Sequence, residues 1–299
     1  MSTNRRQFLV RSSLQLSAGL AATKASSAIS LLPTVRIGKY DITRLIIGSN
    51  PFYGYSHATE ILSQHMREWS TEEHVCAALQ EAERNGINTF QTNGNDRAVS
   101  DLRHYRELAT RLQVIALIRE KPEETVAKMK PIAVSHHGEA TDVCFQEGRM
   151  EDVQEFTKRA RQTGVLVGVS THKPEVIKFI EDGNWDIDFF MGCAYNRTRT
   201  PNEIRKLLGE LPLPANELYL EKDPERMFSV IRQASHPCLA FKILAAGRVG
   251  HSQKAVDEAF KAAYAGIKPK DAVIVGMYPA FSNQIAQNAE RARKILQQA

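Results

Sequence analysis

The residues of this 299-residue chain that could do chemistry are spread along it rather than gathered in one motif. Glu147, His172 and Lys242 are a carboxylate, an imidazole and an amine, the set that general acid–base chemistry draws on. Each lies within or just past a short apolar run. Glu147 follows 143–145, where partial loss of water would raise its pKa toward a working value. His172 follows 165–169 and would be the partner acid. Lys242 lies inside 239–244; facing inward it would be an electrostatic clamp, or a Schiff-base amine if its pKa is lowered. Asn50, His57, Gln91, Asn93, Arg119 and Asn196 also follow apolar runs and would hold a small polar substrate. A divalent metal on Glu147, His172 and a further carboxylate is open on ligand type, although no ligand spacing marks one. Cys193 reads as a small packing residue.

The elements that must bring these groups together are strand–helix repeats. The pattern is plainest over 162–196. The β-branched run 165–169 follows the turn Thr163-Gly164, and 173–181 has helical spacing behind Pro174. Asp182-Gly183-Asn184 breaks that helix, and 187–194 is a second apolar run. Strand, crossover helix, strand is a βαβ unit with parallel strands. Further strands are predicted at 44–48, 87–92, 114–118, 142–146, 238–244 and 272–275, with a leading hairpin at 35–41 and a closing helix at 283–297. Eight such units make a single (β/α)8 barrel, whose working face is the carboxyl rim of the strands. Asn50, Gln91, Glu147, His172 and Lys242 should then converge on that rim. His136 and His137 precede the strand at 142–146, so they should lie toward the opposite end. A slip of one residue would turn Glu147 or Lys242 outward. No glycine-rich dinucleotide fingerprint, phosphate loop, zinc-protease helix or nucleophile elbow interrupts the pattern.

Residues 1–28 stand apart. Thr3-Asn4-Arg5-Arg6-Gln7-Phe8-Leu9 resembles a twin-arginine export signal, followed by a modest apolar stretch at 14–22 and small residues around Ser26-Ser27-Ala28. The stretch is too short and polar to span a bilayer stably. An exported protein, in the bacterial periplasm, with the twin-arginine machinery as a transient partner, is the expectation, and 29–299 would be the barrel. Four basic residues and no acids fall within 1–28. Setting these aside leaves 35 of the 39 lysines and arginines against 34 carboxylates, so the overall charge of +5 belongs largely to the leader and nucleic acid is not an expected partner. Cys76, Cys144, Cys193 and Cys238 are far apart and form no CxxC.

Taken in order, the strand ends resemble the aldo/keto reductase superfamily over most of 29–299. Val35-Arg36-Ile37-Gly38 and Thr43-Arg44-Leu45-Ile46-Ile47-Gly48 resemble its opening hairpin and first strand. Gly86-Ile87-Asn88-Thr89-Phe90-Gln91-Thr92 resembles its G-I-N-x-F-D-T, Val167-Gly168-Val169-Ser170 its I-G-V-S-N, and Tyr195-Asn196 its Y-N. Ala240-Phe241 with Gly247-Arg248, and Ser282-Asn283-Gln284-Ile285-Ala286-Gln287-Asn288, resemble its strand-seven and closing segments. The resemblance implies a barrel and an NAD(P) cofactor, with Ser170 and Phe241 at the nicotinamide and Gln287 and Asn288 in the closing cofactor segment. It does not carry the catalytic tetrad. The family's Asp falls on Gln91, its Tyr near Asp96, its Lys on Ile118 or Arg119 and its His on Glu147. The basic residue for an NADP 2′-phosphate falls near Gln284.

The functional expectation is therefore an exported barrel enzyme acting on a small carbonyl, polyol or sugar by acid–base elimination, isomerisation or hydrolysis. An NAD(P)-dependent oxidoreductase with an altered proton donor, and a sugar-binding barrel without turnover, are the alternatives.

Overall fold

The computed structural model describes residues 30–108 and 111–298. The export-signal reading of 1–28 lies outside the described residues. Two short strands, β1 (Thr34–Ile37) and β2 (Tyr40–Thr43), form an antiparallel hairpin. Eight parallel strands follow: β3 (Leu45–Gly48), β4 (Thr89–Asn93), β5 (Gln113–Ile118), β6 (Ala133–His136), β7 (Leu166–Thr171), β8 (Phe189–Cys193), β9 (Cys238–Phe241) and β10 (Ala272–Gly276). They close in the order β10-β3-β4-β5-β6-β7-β8-β9, a (β/α)8 barrel.

Alternation along each strand divides the apolar residues in two. One set, including Ile47, Phe90, Val114, Ala116, Val134, Val167, Val169 and Phe190, packs outward against the helices. The other, including Ile46, Ile115, Ala133, Phe189, Met191, Leu239 and Ile274, fills the barrel axis together with Val35, Ile37 and Ile42 of the hairpin. The hairpin is pinned at the amino end of the strands, where Asn88 donates to the Asp41 carbonyl at 2.9 Å and Gln113 at 2.8 Å. That end is plugged, so any cavity must open at the other. The axial layer also needs a glycine. A Cβ on Gly168 would meet the Phe189 ring at 2.4 Å, so this position makes room for a phenyl group from the neighbouring strand.

The helices around the barrel are α1 (Glu60–Trp69), α2 (Glu72–Arg84), α3 (Asp96–Glu107), α4 (Pro122–Met129), α5 (Gly138–Gln146), α6 (Met150–Gln162), α7 (Pro174–Asp182), α8 (Pro201–Leu208), α9 (Asp223–Gln233), α10 (Gln253–Gly266) and α11 (Gln284–Gln297). Several carry the caps that their sequences specify. Thr59, Thr71, Asn95, Ser252 and Asn283 each accept a hydrogen bond from the first turn, and Thr200 with Glu203 forms a capping box.

The fourth strand corrects the sequence reading. It is β6, Ala133–His136, and the stretch 142–146 is the second half of α5. The run 132–135 is short and bounded by Pro131 and by Gly138, as a buried strand should be. The apolar residues of 142–146 instead follow a helical face, with Val143 44% exposed beside the buried Asp142 and Cys144. Between β6 and β7 there are consequently two helices, and α5 is the extra one, reached from β6 through the single residue His137.

Candidate active site

The carboxyl ends of the strands surround a cavity of about 650 Å³. Its lining contains Asn50, His57, Gln91, Asn93, Arg119, Ser170, His172, Phe241 and Lys242, brought together from β3, β4, β5, β7 and β9 as the parallel barrel requires. Asn196, Gln287, Asn288 and Glu147 are not among the lining residues. Glu147 is the C-cap of α5, exposed and paired with Arg149 at 2.5 Å. Its expected place on the rim depended on a strand at 142–146; once that segment is helix, its end points to solvent. His137 departs from expectation in the other direction. Ser135 pairs with Gly168 and His136 with Val169, so Ser135 faces inward and His136 outward, where it packs edge-on against Phe156 of α6. His137 is therefore the next inward residue, and it lines the cavity.

The centre of the site is a group that the sequence reading missed. Asp142, wholly buried on α5, accepts a hydrogen bond from His172 Nδ1 at 2.8 Å. The same carboxylate accepts from the His172 amide at 3.0 Å, from Thr198 Oγ1 at 2.8 Å and from Thr171 Oγ1. A carboxylate has only acceptor sites, and here both oxygens are met by donors. The contact assigns the proton of His172 to Nδ1 and leaves Nε2 as the acceptor. Among the described residues Nε2 has no hydrogen-bond partner. Phe241 stands edge-to-face with the imidazole, ring centroids 5.6 Å apart. A Cβ on Gly138 would lie 3.1 Å from the ring, so the ring packs tightly against the start of α5. Asn196 acts at one remove: its Oδ1 accepts from the Thr198 amide at 3.2 Å, and Thr198 in turn holds Asp142.

A second chain of polar groups forms one wall. Arg119 donates to Glu139 at 3.1 Å, and Glu139 also accepts from Arg197 at 3.1 Å. Arg197 grips Glu217 through Nε at 3.1 Å and Nη2 at 2.5 Å, and Glu217 accepts from His57 Nδ1 at 3.0 Å and Tyr219 Oη at 3.0 Å. The free nitrogen of His57 then faces Asn50 Nδ2 at 3.4 Å. Burial lowers the pKa of His57 to about 4, so it is neutral and accepts from Asn50. Burial works to raise the Glu217 carboxyl, but His57 and Arg197 outweigh it and hold the group well below the usual carboxylate range. The segment that carries Arg197 is itself anchored. Arg199 donates to the buried Asp223 at 3.0 Å, and Asp223 accepts the Asn196 amide at 3.3 Å.

Lys242 differs from every other cation of the wall. Its ammonium has no ion pair or hydrogen bond among the described residues, and its pKa is lowered to about 8 by burial and by the nearby charge of Arg197. Its backbone is in the left-handed region at φ 58°. Two further polar atoms at the cavity, Ser170 Oγ and His137 Nδ1, are buried without a hydrogen-bond partner among the described residues. Burial, with Arg119 nearby, lowers the His137 pKa to about 4.

With the fourth strand at Ala133–His136, the inward residue at its end is His137 rather than Glu147, and Arg119 is the inward residue after β5. Gln91 lines the cavity, and Asp96 is an exposed residue in the first turn of α3. The closing helix offers no free basic fork for a nucleotide phosphate. Arg291 is committed to Asn288, Asp257 and Gln253, Arg293 donates to the Asn85 carbonyl, and Gln284 accepts the Tyr278 amide. Ser170 and Phe241 line the cavity, and Gln287 and Asn288 do not. The metal set of Glu147, His172 and a further carboxylate is not assembled, and among the described residues no three His, Cys, Asp or Glu side chains converge as ligands. The four cysteines are buried and free.

No protein-family model matches this sequence, and no curated protein matches it. The likeness to solved structures is broad. The holo form of the aldo-keto reductase AKR11C1 from Bacillus halodurans superposes with a TM-score of 0.55 at 12% identity, over 89% of this chain and 96% of that one. A candidate 2,5-diketo-D-gluconic acid reductase B gives a TM-score of 0.52 at 10% identity, over 89% and 92%. Gox0644 in its apo form gives 0.52 at 10%, over 89% and 94%. The closed parallel barrel and the coverage agree: the chain has an aldo-keto reductase-like (β/α)8 fold.

Proposed function

We propose that this chain is an exported acid–base enzyme that moves a proton on a carbon next to the carbonyl of a small hydroxy-carbonyl compound or sugar, giving isomerisation or elimination. The observation that carries the reading is the buried Asp142–His172 pair at the cavity, with Nδ1 held by the carboxylate and Nε2 left as a base. Asp142 fixes the tautomer and stabilises the imidazolium once the proton is taken. Asn50, Gln91, Asn93 and Ser170 offer neutral hydrogen-bonding groups suited to hydroxyls. Arg197 and Lys242 supply positive charge where an enolate oxygen would form, and such charge is worth most in a cavity poor in water. Five lysines and arginines line the cavity against three glutamates, which favours a substrate whose charge develops as negative.

The test is solvent exchange. A panel of small aldoses, ketoses and sugar acids is incubated with the protein in deuterated water and read by proton NMR. Deuterium at a carbon next to the carbonyl, abolished in His172→Gln, supports the reading; a wild-type protein that exchanges no member of the panel counts against it. Export is tested separately by fusing residues 1–28 to a reporter that is active only outside the cytoplasm. Signal that disappears when Arg5 and Arg6 are changed to lysine supports the twin-arginine route.

A further inference from the structure

Lys242 is the group at the cavity that an acid–base pair alone leaves unexplained. It stands directly after β9, with its side chain at the mouth of the barrel beside Phe241. The other cations of the wall are neutralised: Arg119 by Glu139, Arg197 by Glu139 and Glu217, and Lys121 by Glu124. The remaining one, Lys128, is exposed. Lys242 alone of this set is partly buried and without an ion pair among the described residues. An unpaired ammonium in such a place is costly. Its backbone at φ 58° is a conformation that side chains rarely adopt, and strained backbone held at a cavity is characteristic of sites with a function. Ser170 Oγ and His137 Nδ1, buried without partners among the described residues at the same cavity, add two polar atoms that could meet the oxygens of a bound molecule.

We propose that Lys242 captures the substrate carbonyl covalently, as a Schiff base, and that the proton removed by His172 is lost from this adduct rather than from the free carbonyl compound. The inference rests on the acid–base reading above and names its electron sink. The neutral Nζ attacks the carbonyl carbon and a carbon–nitrogen bond forms. The carbonyl oxygen leaves as water carrying both amine protons, and one proton from solvent gives the iminium. His172 Nε2 then takes a proton from the adjacent carbon, and the electron pair of that C–H bond moves toward the iminium nitrogen to give an enamine. Reprotonation and hydrolysis return the free amine. No oxidant, reductant or metal enters the sequence. The groups facing the amine favour an enlarged share of free amine at neutral pH. Arg197 disfavours its protonation, the Cys193 thiol is pushed up to about 12 by burial and stays uncharged, and Glu139 and Glu217 are already engaged with arginine.

The experiment is reductive trapping on the full-length protein. Dihydroxyacetone, glyceraldehyde and pyruvate serve as probes, sodium cyanoborohydride reduces any imine to a stable secondary amine, and peptide mapping by mass spectrometry locates the adduct. The lowered pKa leaves on the order of a hundredfold more free amine at neutral pH than an ordinary lysine has. Lys242 should therefore be labelled on the order of tenfold faster than the exposed Lys121 or Lys128. Labelling that follows exposure and spares Lys242 would overturn the proposal. The two readings fail separately. Solvent exchange without an adduct on Lys242 removes the covalent step and leaves the base; an adduct on Lys242 without exchange upholds the covalent step and removes His172 as base. His172→Gln should keep the adduct and lose the exchange.

Discussion

Asp142→Asn isolates the contribution of the buried carboxylate. Three of the donors that reach Asp142 converge on Oδ2: the His172 amide at 3.0 Å, His172 Nδ1 at 2.8 Å and Thr198 Oγ1 at 2.8 Å. An asparagine keeps one acceptor oxygen, so either Thr171 or this cluster must face an NH2 group. Hydrogen bonds to a charged partner are worth about 1.5–3 kcal/mol each, and breaking a buried charged network costs about 3–5 kcal/mol. The expected loss of stability is therefore about 3 kcal/mol, read as a lower urea midpoint. Activity should fall further than stability explains. With the amide's NH2 turned to Nδ1 the imidazole carries its proton on Nε2 and is no longer a base, a change expected to cost on the order of a thousandfold in kcat, or about 4 kcal/mol. The assay is the rate of solvent deuterium exchange, paired with the ¹⁵N shifts of His172, which report the tautomer directly. Thr198→Val is the milder companion, removing one donor and costing about 1–2 kcal/mol while leaving the tautomer in place. A folded Asp142→Asn protein with wild-type exchange and an unchanged tautomer would refute the argument.

Glu147→Gln should leave exchange activity within about twofold, since exposed charges far from a site contribute little, and a large loss would return Glu147 to the mechanism. Gly168→Ala drives a methyl to 2.4 Å of the Phe189 ring; overpacking of this kind costs about 1–3 kcal/mol, visible in urea titration, and an unchanged midpoint would mean the barrel axis is looser than described. Acid should destabilise the fold early. Burial lowers His57, His136 and His137 to about 4, so between roughly pH 6.5 and 4 the unfolded chain binds protons that the folded one does not, and stability falls with falling pH by about 1.4 kcal/mol per unit for each histidine. Urea midpoints that stay flat across that window would contradict the buried, neutral state of these rings.

The barrel was legible because seven of its eight parallel strands announce themselves as short apolar runs ending in polar residues, and because the order of those ends resembles one family. The strand at Ala133–His136 was the exception. It is only four residues long, and the more apolar-looking 142–146 competed with it. That one displacement had three consequences. It set Glu147 on the rim, where an exposed helix end now stands, and it sent His137 to the wrong end of the molecule. It also hid Asp142, which in a strand would have been a terminal polar residue and on α5 is the partner of His172. Arg197, Glu139 and Glu217 were invisible for a different reason: their pairing joins the first turn of α5, the segment after β8 and the turn at 215–217, and no local pattern encodes contacts of that separation. His172 and Lys242, by contrast, follow strands whose register was clear, and both are at the cavity.

The most direct test of the account is a crystal structure with a small hydroxy-carbonyl compound bound at the barrel mouth. The account predicts electron density continuous with Lys242 Nζ, and the adjacent carbon within reach of His172 Nε2 while Nδ1 remains on Asp142. A ligand seated away from both residues, or a nicotinamide stacked on Phe241 with His172 turned off Asp142, would contradict it.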